Sequence, residues 1–466
     1  MPGLRLAGEF YTETVRPLLD AEFPGLGYAA GLIGPGSEVL GFDTERSTDH
    51  DWGPRLLVFL DDAEAERLAG AVDEMLRRRL PAAFRGYPVA FEVTRDPGGG
   101  ARHRVEVVGL GGWLTGRLGF DPRGVVTVPD WLAAPWQRLV EVTAGAVFHD
   151  GSGGLTRARA ALSWYPADLW RYVLSCQWSR IAEEEAFPGR CAEAGDEVGS
   201  AVVTARLARD LMRLWLLVHR RYPPYSKWLG RACARAPGGA GLGGHLAAAL
   251  AATGWPARER QLGLAYRIAA EAHNRLGLTE PLDPGTRPYY SRPYQVLDAG
   301  RFAAALSGAI TDPLVRRLPP AGAADQIIDS TPALGDLRYP RAVTLVSDRD
   351  TPVPGVGDTQ AQCWGIKGLA GLHVMSRTRA EVGDATPVDV LAARAGHGGG
   401  RALRGLGLGI GARGPHGARG PHRAHGPHRA GSRPAARHEG PRGQGAAAAA
   451  GRAEVLPGRD RRPVRR

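Results

Sequence analysis

The sequence predicts an α+β protein in which a small α/β domain is followed by an all-α helical bundle and a basic tail. Three observations predict this order. Strand and helix patterns alternate over residues 1–152, long helical patterns fill residues 153–340, and the helical pattern fades after Pro340. A chain of 466 residues with 43% apolar content is long enough for two or three domains with cores of their own. We therefore predict domains at residues 1–152, 153–340 and 341–466.

The first domain begins with apolar residues at helical spacing over residues 4–20 and then alternates between strands and helices. A glycine turn, GPGS, follows the first strand, and Ser37 is placed there to cap a short helix through Leu40. A longer helix is predicted over residues 63–80, where apolar residues share one face. Short apolar runs between turn signals predict strands at residues 28–33, 55–60, 88–94, 104–108 and 144–148.

The second domain consists of long segments with apolar residues at helical spacing, which is typical of a helical bundle. Helices are predicted at residues 155–162, 168–186, 197–221, 242–252, 257–276 and 296–307.

The high net charge of +11 belongs to the tail, because residues 401–466 contain 15 arginines and three acidic residues. The residues before it are close to electrically balanced. The tail has almost no large apolar side chains and repeats GPH, so it is predicted to be disordered. Lys227 and Lys367 are the sole lysines, which indicates a GC-rich gene. The favoured explanation of the tail's composition is therefore an appended or frame-shifted end. A basic arm that binds nucleic acid non-specifically is the alternative.

The remaining composition predicts a soluble cytoplasmic protein with no membrane partner. The four cysteines form no CxxC pair, which argues against a zinc ribbon or a disulfide framework. The N-terminus has no signal-peptide pattern, and the apolar runs are shorter than the roughly 20 residues of a membrane span.

The stretch GPGSEVLGFDTERSTDHDWG, residues 34–53, combines residue types that suit phosphate and metal binding. Glycine at position 36 lets the backbone approach a phosphate, and the hydroxyl of Ser37 with adjacent N–H groups binds phosphate oxygens. Asp49 and Asp51 offer the hard oxygen ligands that Mg²⁺ prefers. A regular strand would point them to opposite faces, so a twist or bulge at the start of the next strand must bring them together.

This stretch resembles the nucleotidyltransferase superfamily that includes DNA polymerase beta and the aminoglycoside nucleotidyltransferases. The signature is a Gly-Ser pair, a spacer of this length and an Asp-x-Asp pair, matched here by Gly36, Ser37, Asp49 and Asp51. The resemblance implies a nucleotidyltransferase fold, an NTP substrate and two Mg²⁺ ions. It also implies a third metal-binding carboxylate on a later strand, for which Glu106 in HRVEVV is the first choice. Glu92 in PVAFEV is the alternative.

The resemblance to the aminoglycoside enzymes extends into the helical half, where they carry a glutamate that deprotonates the acceptor and, a few residues on, a lysine near the phosphates. The matching segment, AEEEAFPGR, suggests Glu185 as general base and Arg190 as the cation. The run of three glutamates also fits a solvated helix face. Lys227 in PPYSKWLG is a further candidate for the triphosphate, since a lysine is a compact point charge. Trp228 beside it would stack on a base or belong to the bundle core.

Three stretches also look like an uncharacterised bacterial family known as a domain of unknown function. They are GFDTERSTDHD, CQWSRIAEEEAFPGRCAEAGDEVGS and RRYPPYSKW, and the resemblance covers about residues 5–340. It supports the architecture and leaves the substrate open.

The predicted function is Mg²⁺-dependent transfer of a nucleoside monophosphate from an NTP to a small-molecule or protein acceptor. Acids at 183–185, 193, 196 and 197 are compatible with a cleft for a cationic, aminoglycoside-like acceptor. One alternative is a toxin-antitoxin or regulatory module, because Arg213 and His219 loosely resemble the Arg/His motif of helical RNases. Another is a nucleotide-binding protein without turnover. The sequence leaves the acceptor, the NTP, the general base and the oligomeric state open.

Overall fold

A computed structural model describes residues 2–49, 52–91 and 102–345, which have a mixed α/β fold that is mostly helical. The strands in chain order are β1 (Tyr28–Leu32), β2 (Arg55–Leu60), β3 (Ala83–Phe84), β4 (Tyr87–Pro88), β5 (Ala90–Phe91), β6 (Arg102–Gly109), β7 (Ala146–Asp150), β8 (Arg287–Pro288) and β9 (Gln295–Val296).

Five of these strands form a mixed sheet with the order β5-β6-β2-β1-β7 over the described residues. Strand β1 is antiparallel to β2 and to β7, whereas β2 and β6 are parallel. The parallel register pairs Arg55 with Arg104 and Leu57 with Glu106. A parallel pair needs a crossover connection, and the helix Asp62–Arg79 lies in this one.

In the part that the structure describes, the first 80 residues contain five helical segments, and all except the 3₁₀ helix contribute to the apolar cluster on one face of the sheet. They are α1 (Gly3–Phe10), a π-helical turn (Tyr11–Val15), α2 (Arg16–Glu22), a 3₁₀ helix (Glu45–Asp49) and α3 (Asp62–Arg79). Asp61 caps α3 by accepting a hydrogen bond from the N–H of Ala63 at 3.2 Å. Leu56 and Val58 of β2 belong to the apolar cluster on this face, together with Phe10 and Val72.

The other face of the sheet packs against the helices that follow. Leu57 and Phe59 of β2 share an apolar cluster with Trp178 and Trp215 of the helical half. Alternate residues of β2 therefore belong to two different apolar clusters, one on each face of the sheet. These helices are α4 (Leu110–Leu118), α5 (Val128–Ala133), α6 (Trp136–Thr143), α7 (Gly154–Ala161), α8 (Ala167–Glu184), α9 (Phe187–Glu193), α10 (Glu197–Val218), α11 (Ser226–Arg235), α12 (Gly239–Ala251), α13 (Trp255–Asn274), α14 (Gly300–Gly308), α15 (Pro313–Arg316), α16 (Ala324–Ile327), α17 (Thr331–Gly335) and α18 (Arg338–Leu345).

Most predicted elements lie within a few residues of the observed ones, with three clear exceptions. The strand predicted at residues 88–94 is not continuous, because Pro88 pairs in β4 and Ala90–Phe91 form β5, and residues 92–94 lie outside the described residues. Residues 37–41 form a turn rather than a helix, and the N–H of Phe42 donates to the carbonyl of Ser37 at 2.8 Å. The helix predicted from Val296 begins at Gly300, because Val296 pairs in β9.

The predicted domain limits fall within the described chain, and the predicted tail does not. Helix α18 spans the predicted boundary at residue 340. The tail beyond residue 345 lies outside the described residues.

No helix in the described part of the chain is long and apolar enough to cross a bilayer.

Candidate functional site

A cleft of about 870 Å³ opens between the sheet and the helical half. One wall is formed by the Gly-Ser turn after β1 and by cleft-facing residues of β2 and β6. The opposite wall is formed by the N-terminal ends of α6 and α11, by Arg213 of α10, and by residues 325–335. Such a volume lies in the range of sites that enclose small molecules and cofactors.

The Gly-Ser turn is held in a conformation that requires glycine. Gly36 has a φ of +142°, and a Cβ atom there would lie 2.2 Å from Nη2 of Arg55. Ser37 follows it, is partly exposed and lines the cleft. The N–H of Gly34 donates to the carbonyl of Glu141 at 2.7 Å, which ties the turn to α6. The turn is therefore held by α6 on one side and by Arg55 on the other before any ligand binds.

An ion pair that the sequence analysis missed supports this turn. Arg55, the first residue of β2, donates from Nε to Glu38 Oε1 at 2.7 Å and from Nη2 to the carbonyl of Pro35 at 2.6 Å. The side chain of Glu38 is only 4% exposed, so the pair is shielded from water on one side. The pair fixes the turn to the strand that follows the acidic segment, although 17 residues separate the partners.

The acidic pair lies before β2 rather than at its first residues. Asp49 ends the 3₁₀ helix Glu45–Asp49, and its side chain lies outside the described part. Asp51 also lies outside the described residues. The flanks are anchored, because Asp43 Oδ2 accepts from the N–H of Gly3 at 2.8 Å and from Trp52 Nε1 at 3.3 Å. Trp52 is buried and lines the cleft, so the segment that carries Asp49 and Asp51 begins and ends at its edge.

Glu106 lies on the cleft side of β6 and is exposed. It is in register with Leu57, two positions along the strand pair from Arg55 and Arg104, and all four residues line the cleft. The carboxylate has no hydrogen-bond or ion-pair partner within the described part of the chain. Glu92, the alternative third carboxylate, lies outside the described residues.

The fit of these residues to Mg²⁺ rests on Glu106, since it alone of the three predicted ligands has a described side chain. The described residues contain no group of three His, Cys, Asp or Glu side chains that could hold a metal ion. Glu106 brings open carboxylate oxygens to the cleft, and oxygen donors of this type suit Mg²⁺.

Lys227 lies on the helical wall, at the second position of α11, and is exposed in the cleft. Its Nζ atom is 4.9 Å from the ring centroid of Trp228, which also lines the cleft and packs on Phe42. No carboxylate within the described residues pairs with Lys227. Trp228 thus contacts the other wall through Phe42 while part of its ring faces the cleft.

Glu185 and Arg190 lie away from the cleft, so the structure does not bring them to the other predicted site residues. Both oxygens of Glu185 accept hydrogen bonds from the N–H groups of Leu297, Asp298 and Ala299, at 2.8, 3.2 and 3.0 Å. Burial raises the pKa of Glu185 to about 7. Arg190 is exposed on α9 and lies over the ring of Phe187 at 5.4 Å. The prediction that Glu185 is the general base is therefore not kept.

Three of the other predicted acids of the helical half are paired elsewhere. Glu184 pairs with Arg206, Glu193 with Arg292, and Glu197 with Arg258. None of these acids lines the cleft. The expected acidic cleft for an aminoglycoside-like acceptor is thus not built from them.

Arg213 and His219 are not brought together at one site. Arg213 lines the cleft, whereas His219 does not. The ring of His219 packs on Trp215 at 4.5 Å, and its Nδ1 lies 2.7 Å from the carbonyl oxygen of Trp215. His219 therefore belongs to the end of helix α10 rather than to the cleft.

Asp325 is a cleft residue that the sequence analysis did not single out. Its Oδ2 accepts a hydrogen bond at 2.8 Å from the N–H of Trp136, the first residue of α6. The two residues are 189 positions apart in the sequence. Burial raises the pKa of Asp325 to about 6, and the nearby charge of Arg213 opposes this shift. No local sequence pattern indicates such a pairing.

Comparison with known families places part of the helical half in context. A family model described as a Domain of unknown function (DUF4037) matches residues 131–229. The matched segment contains Arg213 and Lys227, and two of the three stretches quoted above, at 176–200 and 220–228. Comparison with curated proteins gave no significant match. Over residues 131–229 the chain is thus similar to a family whose description assigns no activity.

Proposed function

We propose that the protein is a Mg²⁺-dependent nucleotidyltransferase that transfers a nucleoside monophosphate from an NTP to an acceptor. One observation carries the proposal: Gly36, Ser37, Glu106 and Lys227, far apart in sequence, line a single cleft. The finer description of the fold, a nucleotidyltransferase domain followed by a helical bundle, is part of the same proposal. It is supported by the sheet, in which β2 follows the acidic segment and lies parallel to the strand of Glu106.

The nucleotide would bind with its triphosphate against the braced Gly-Ser turn. There the Ser37 hydroxyl would donate a hydrogen bond, while the missing side chain of Gly36 makes room for the Arg55 guanidinium that holds the turn. Lys227, without a carboxylate partner among the described residues, would offset phosphate charge from the opposite wall. Trp228, partly exposed beside it, offers an aromatic face for the base or sugar.

Asp49, Asp51 and Glu106 would hold Mg²⁺ at the sheet wall of the cleft. The ions, when bound, orient the reacting oxygens and stabilise the charge that develops on them. The protein's own contribution is positioning, because the turn, β2 and β6 are fixed by the Arg55–Glu38 pair and by the sheet register. No covalent nucleophile is needed in this scheme.

The acceptor would bind along the helical wall and is a small molecule or a protein. Nucleic acid is disfavoured as an acceptor, because the residues before position 401 are nearly balanced in charge. Three cysteines within the described residues are free, which is compatible with the proposed cytoplasmic location.

The proposal is tested by screening pyrophosphate release with the four NTPs against an acceptor library. The full chain and Asp49→Ala are run side by side, with and without Mg²⁺. We expect release that requires Mg²⁺ and falls to background in the variant. Release that is unchanged in Asp49→Ala would contradict the metal assignment. Tight Mg²⁺–NTP binding without release for any acceptor would favour a binding protein without turnover.

A further inference from the structure

Arg213 is a partly buried cation that lines the cleft on the helical wall. It lies on α10, its side chain is 12% exposed, and its Cζ atom is 5.8 Å from the ring centroid of Trp136. Burial lowers the pKa of Arg213, which shows how strongly its guanidinium is desolvated. A guanidinium stays charged under these conditions, since its ordinary pKa is above about 12.

The donors of this guanidinium have no hydrogen-bond acceptor within the described residues. The nearest carboxylate is Asp210, whose Oδ1 is 3.9 Å from Nη1 of Arg213, beyond hydrogen-bond distance. Arginine carries five N–H donors, and none of those of Arg213 is among the fully buried unpaired atoms of the described residues, so solvent reaches them. Arg213 therefore has unused capacity to bind an acceptor atom.

Each neighbouring acid has one oxygen engaged by another donor, although Oδ1 of Asp210 has no hydrogen-bond partner within the described residues. Asp210 Oδ2 accepts from Arg180 at 3.3 Å, and Asp329 Oδ1 accepts from Arg209 at 2.5 Å. Asp325 Oδ2 accepts the N–H of Trp136. Because Asp325 and Asp329 both line the cleft beside Arg213, the direction left open to its donors is the cleft itself.

The charge around Arg213 favours a ligand with a single oxyanion over a triphosphate. Three carboxylates, Asp210, Asp325 and Asp329, and two further guanidiniums, Arg180 and Arg209, lie around it, so the cluster is close to balanced and offers too little positive charge for a group with about four negative charges. The turn proposed for the triphosphate lies on the opposite wall, with the sheet. A single phosphate or carboxylate is matched by one guanidinium, which binds such groups through two parallel hydrogen bonds.

We infer that Arg213 binds an oxyanion carried by the acceptor, so that the acceptor is an acidic or phosphorylated compound. This inference rests on the proposed function, because it takes the nucleotide to occupy the sheet wall. It replaces the cationic acceptor suggested by the sequence with one of the opposite charge on the helical wall.

The test is a ³¹P NMR titration of inorganic phosphate into the full chain with Mg²⁺–AMPCPP, a non-hydrolysable ATP analogue, at saturation. Arg213→Gln removes the charge, and Arg213→Lys keeps it without the planar fork. Arg171→Gln is the matched control, since Arg171 is also partly buried but pairs with Asp168 outside the cleft. Circular dichroism checks the folding of each variant, and the Mg²⁺–AMPCPP affinity is measured separately.

We expect Arg213→Gln to weaken phosphate binding about tenfold or more, on the scale of a charge-assisted hydrogen bond. Arg213→Lys loses less, and Arg171→Gln and the Mg²⁺–AMPCPP affinity of every variant stay within about twofold of wild type. Unchanged phosphate binding in Arg213→Gln would overturn the inference. An equal loss of Mg²⁺–AMPCPP and phosphate affinity would assign Arg213 to the triphosphate and overturn it as well. AMPCPP is replaced by the corresponding α,β-methylene analogue if another NTP is preferred, and failure of wild type to bind any of the four analogues with Mg²⁺ would instead overturn the proposed function, and the acceptor assignment with it.

Discussion

Glu106 and Glu185 were both predicted to act in catalysis, and the structure places them in opposite surroundings. Glu106 is exposed on the cleft side of β6, and no partner within the described residues occupies its carboxylate. Glu185 is buried, and three backbone N–H groups occupy its oxygens. A carboxylate without a partner is available to a ligand. A carboxylate whose oxygens accept backbone hydrogen bonds instead holds the segment that donates them, here residues 297–299. Glu106 is therefore available for the proposed chemistry, and Glu185 stabilises the segment at residues 297–299.

The largest effect is expected for Glu106→Gln, which keeps the shape and removes the charge. We expect pyrophosphate release to fall about 100-fold or more, because charge stabilisation at such sites is worth several kcal/mol. The melting temperature should hardly change, since the side chain is exposed. Glu66→Gln, on the exposed side of α3, is the matched control and should behave as wild type. Equal activities of the two variants would remove Glu106 from the site.

Glu185→Gln should show the reverse pattern. An amide has one acceptor oxygen, so a buried N–H of the segment at residues 297–299 loses its partner. The free energy of unfolding should fall by about 1–3 kcal/mol, measured by urea denaturation at pH 6, with turnover per folded molecule unchanged. Glu184→Gln is the control, because its pair with Arg206 is partly exposed and should contribute less than about 1 kcal/mol. A selective loss of turnover in Glu185→Gln would return Glu185 to the chemistry.

Gly36→Ala tests whether the turn is as constrained as the geometry indicates. The added Cβ would meet the Arg55 guanidinium, and the φ of +142° is unfavourable for alanine. We expect a loss of about 1 kcal/mol or more in stability and weaker binding of Mg²⁺–AMPCPP, followed by calorimetry. Gly70→Ala is the control, because a Cβ there meets nothing within 4 Å and alanine favours the helix interior. Nucleotide affinity equal in both variants would argue against the turn as the phosphate site.

The last expected effect is a pH dependence of stability that belongs to Glu185. Its pKa is raised to about 7 in the folded state, compared with about 4.3 in an unfolded chain. The folded state holds this proton more tightly, so the stability it contributes is present below pH 4.3 and is lost as the pH rises through 7.

The difference in unfolding free energy between wild type and Glu185→Gln should therefore shrink from pH 4.5 to pH 8. Taking the difference removes the contributions of other buried groups, such as Asp325 and His273, whose pKa values are also shifted. A difference that stays constant or grows with pH would contradict the assigned shift.

The sequence predicted elements well where the signal is local. Strand β2 was predicted with its observed limits, since RLLVFL is a short apolar run between a proline and two aspartates. The long helices α8, α10 and α13 follow from apolar periodicity. The ends of these helices were predicted less accurately, because the apolar pattern continues past the observed ends. Pro188 lies at the start of the next helix, and Arg220 has a φ of +52°.

The site was predicted only in part, because its remaining contacts join distant positions. Gly36, Ser37, Glu106 and Lys227 were found from residue type and context. The Arg55–Glu38 brace and the Asp325–Trp136 contact depend on how strands and helices meet, which no window of sequence contains. The position of Glu185 away from the cleft was not foreseen for the same reason. The run of glutamates does not reveal which one meets residues 297–299.

The most direct test of the central claim is calorimetric titration of Mg²⁺–AMPCPP into the full chain, the Glu106→Gln variant and the Glu66→Gln control. The account predicts saturable binding to wild type that disappears with EDTA. It also predicts affinity weakened about tenfold or more by Glu106→Gln, as expected for a ligand of the ion, with Glu66→Gln unchanged. Absence of binding for the α,β-methylene analogues of all four NTPs, or binding that is indifferent to both EDTA and Glu106→Gln, would contradict it.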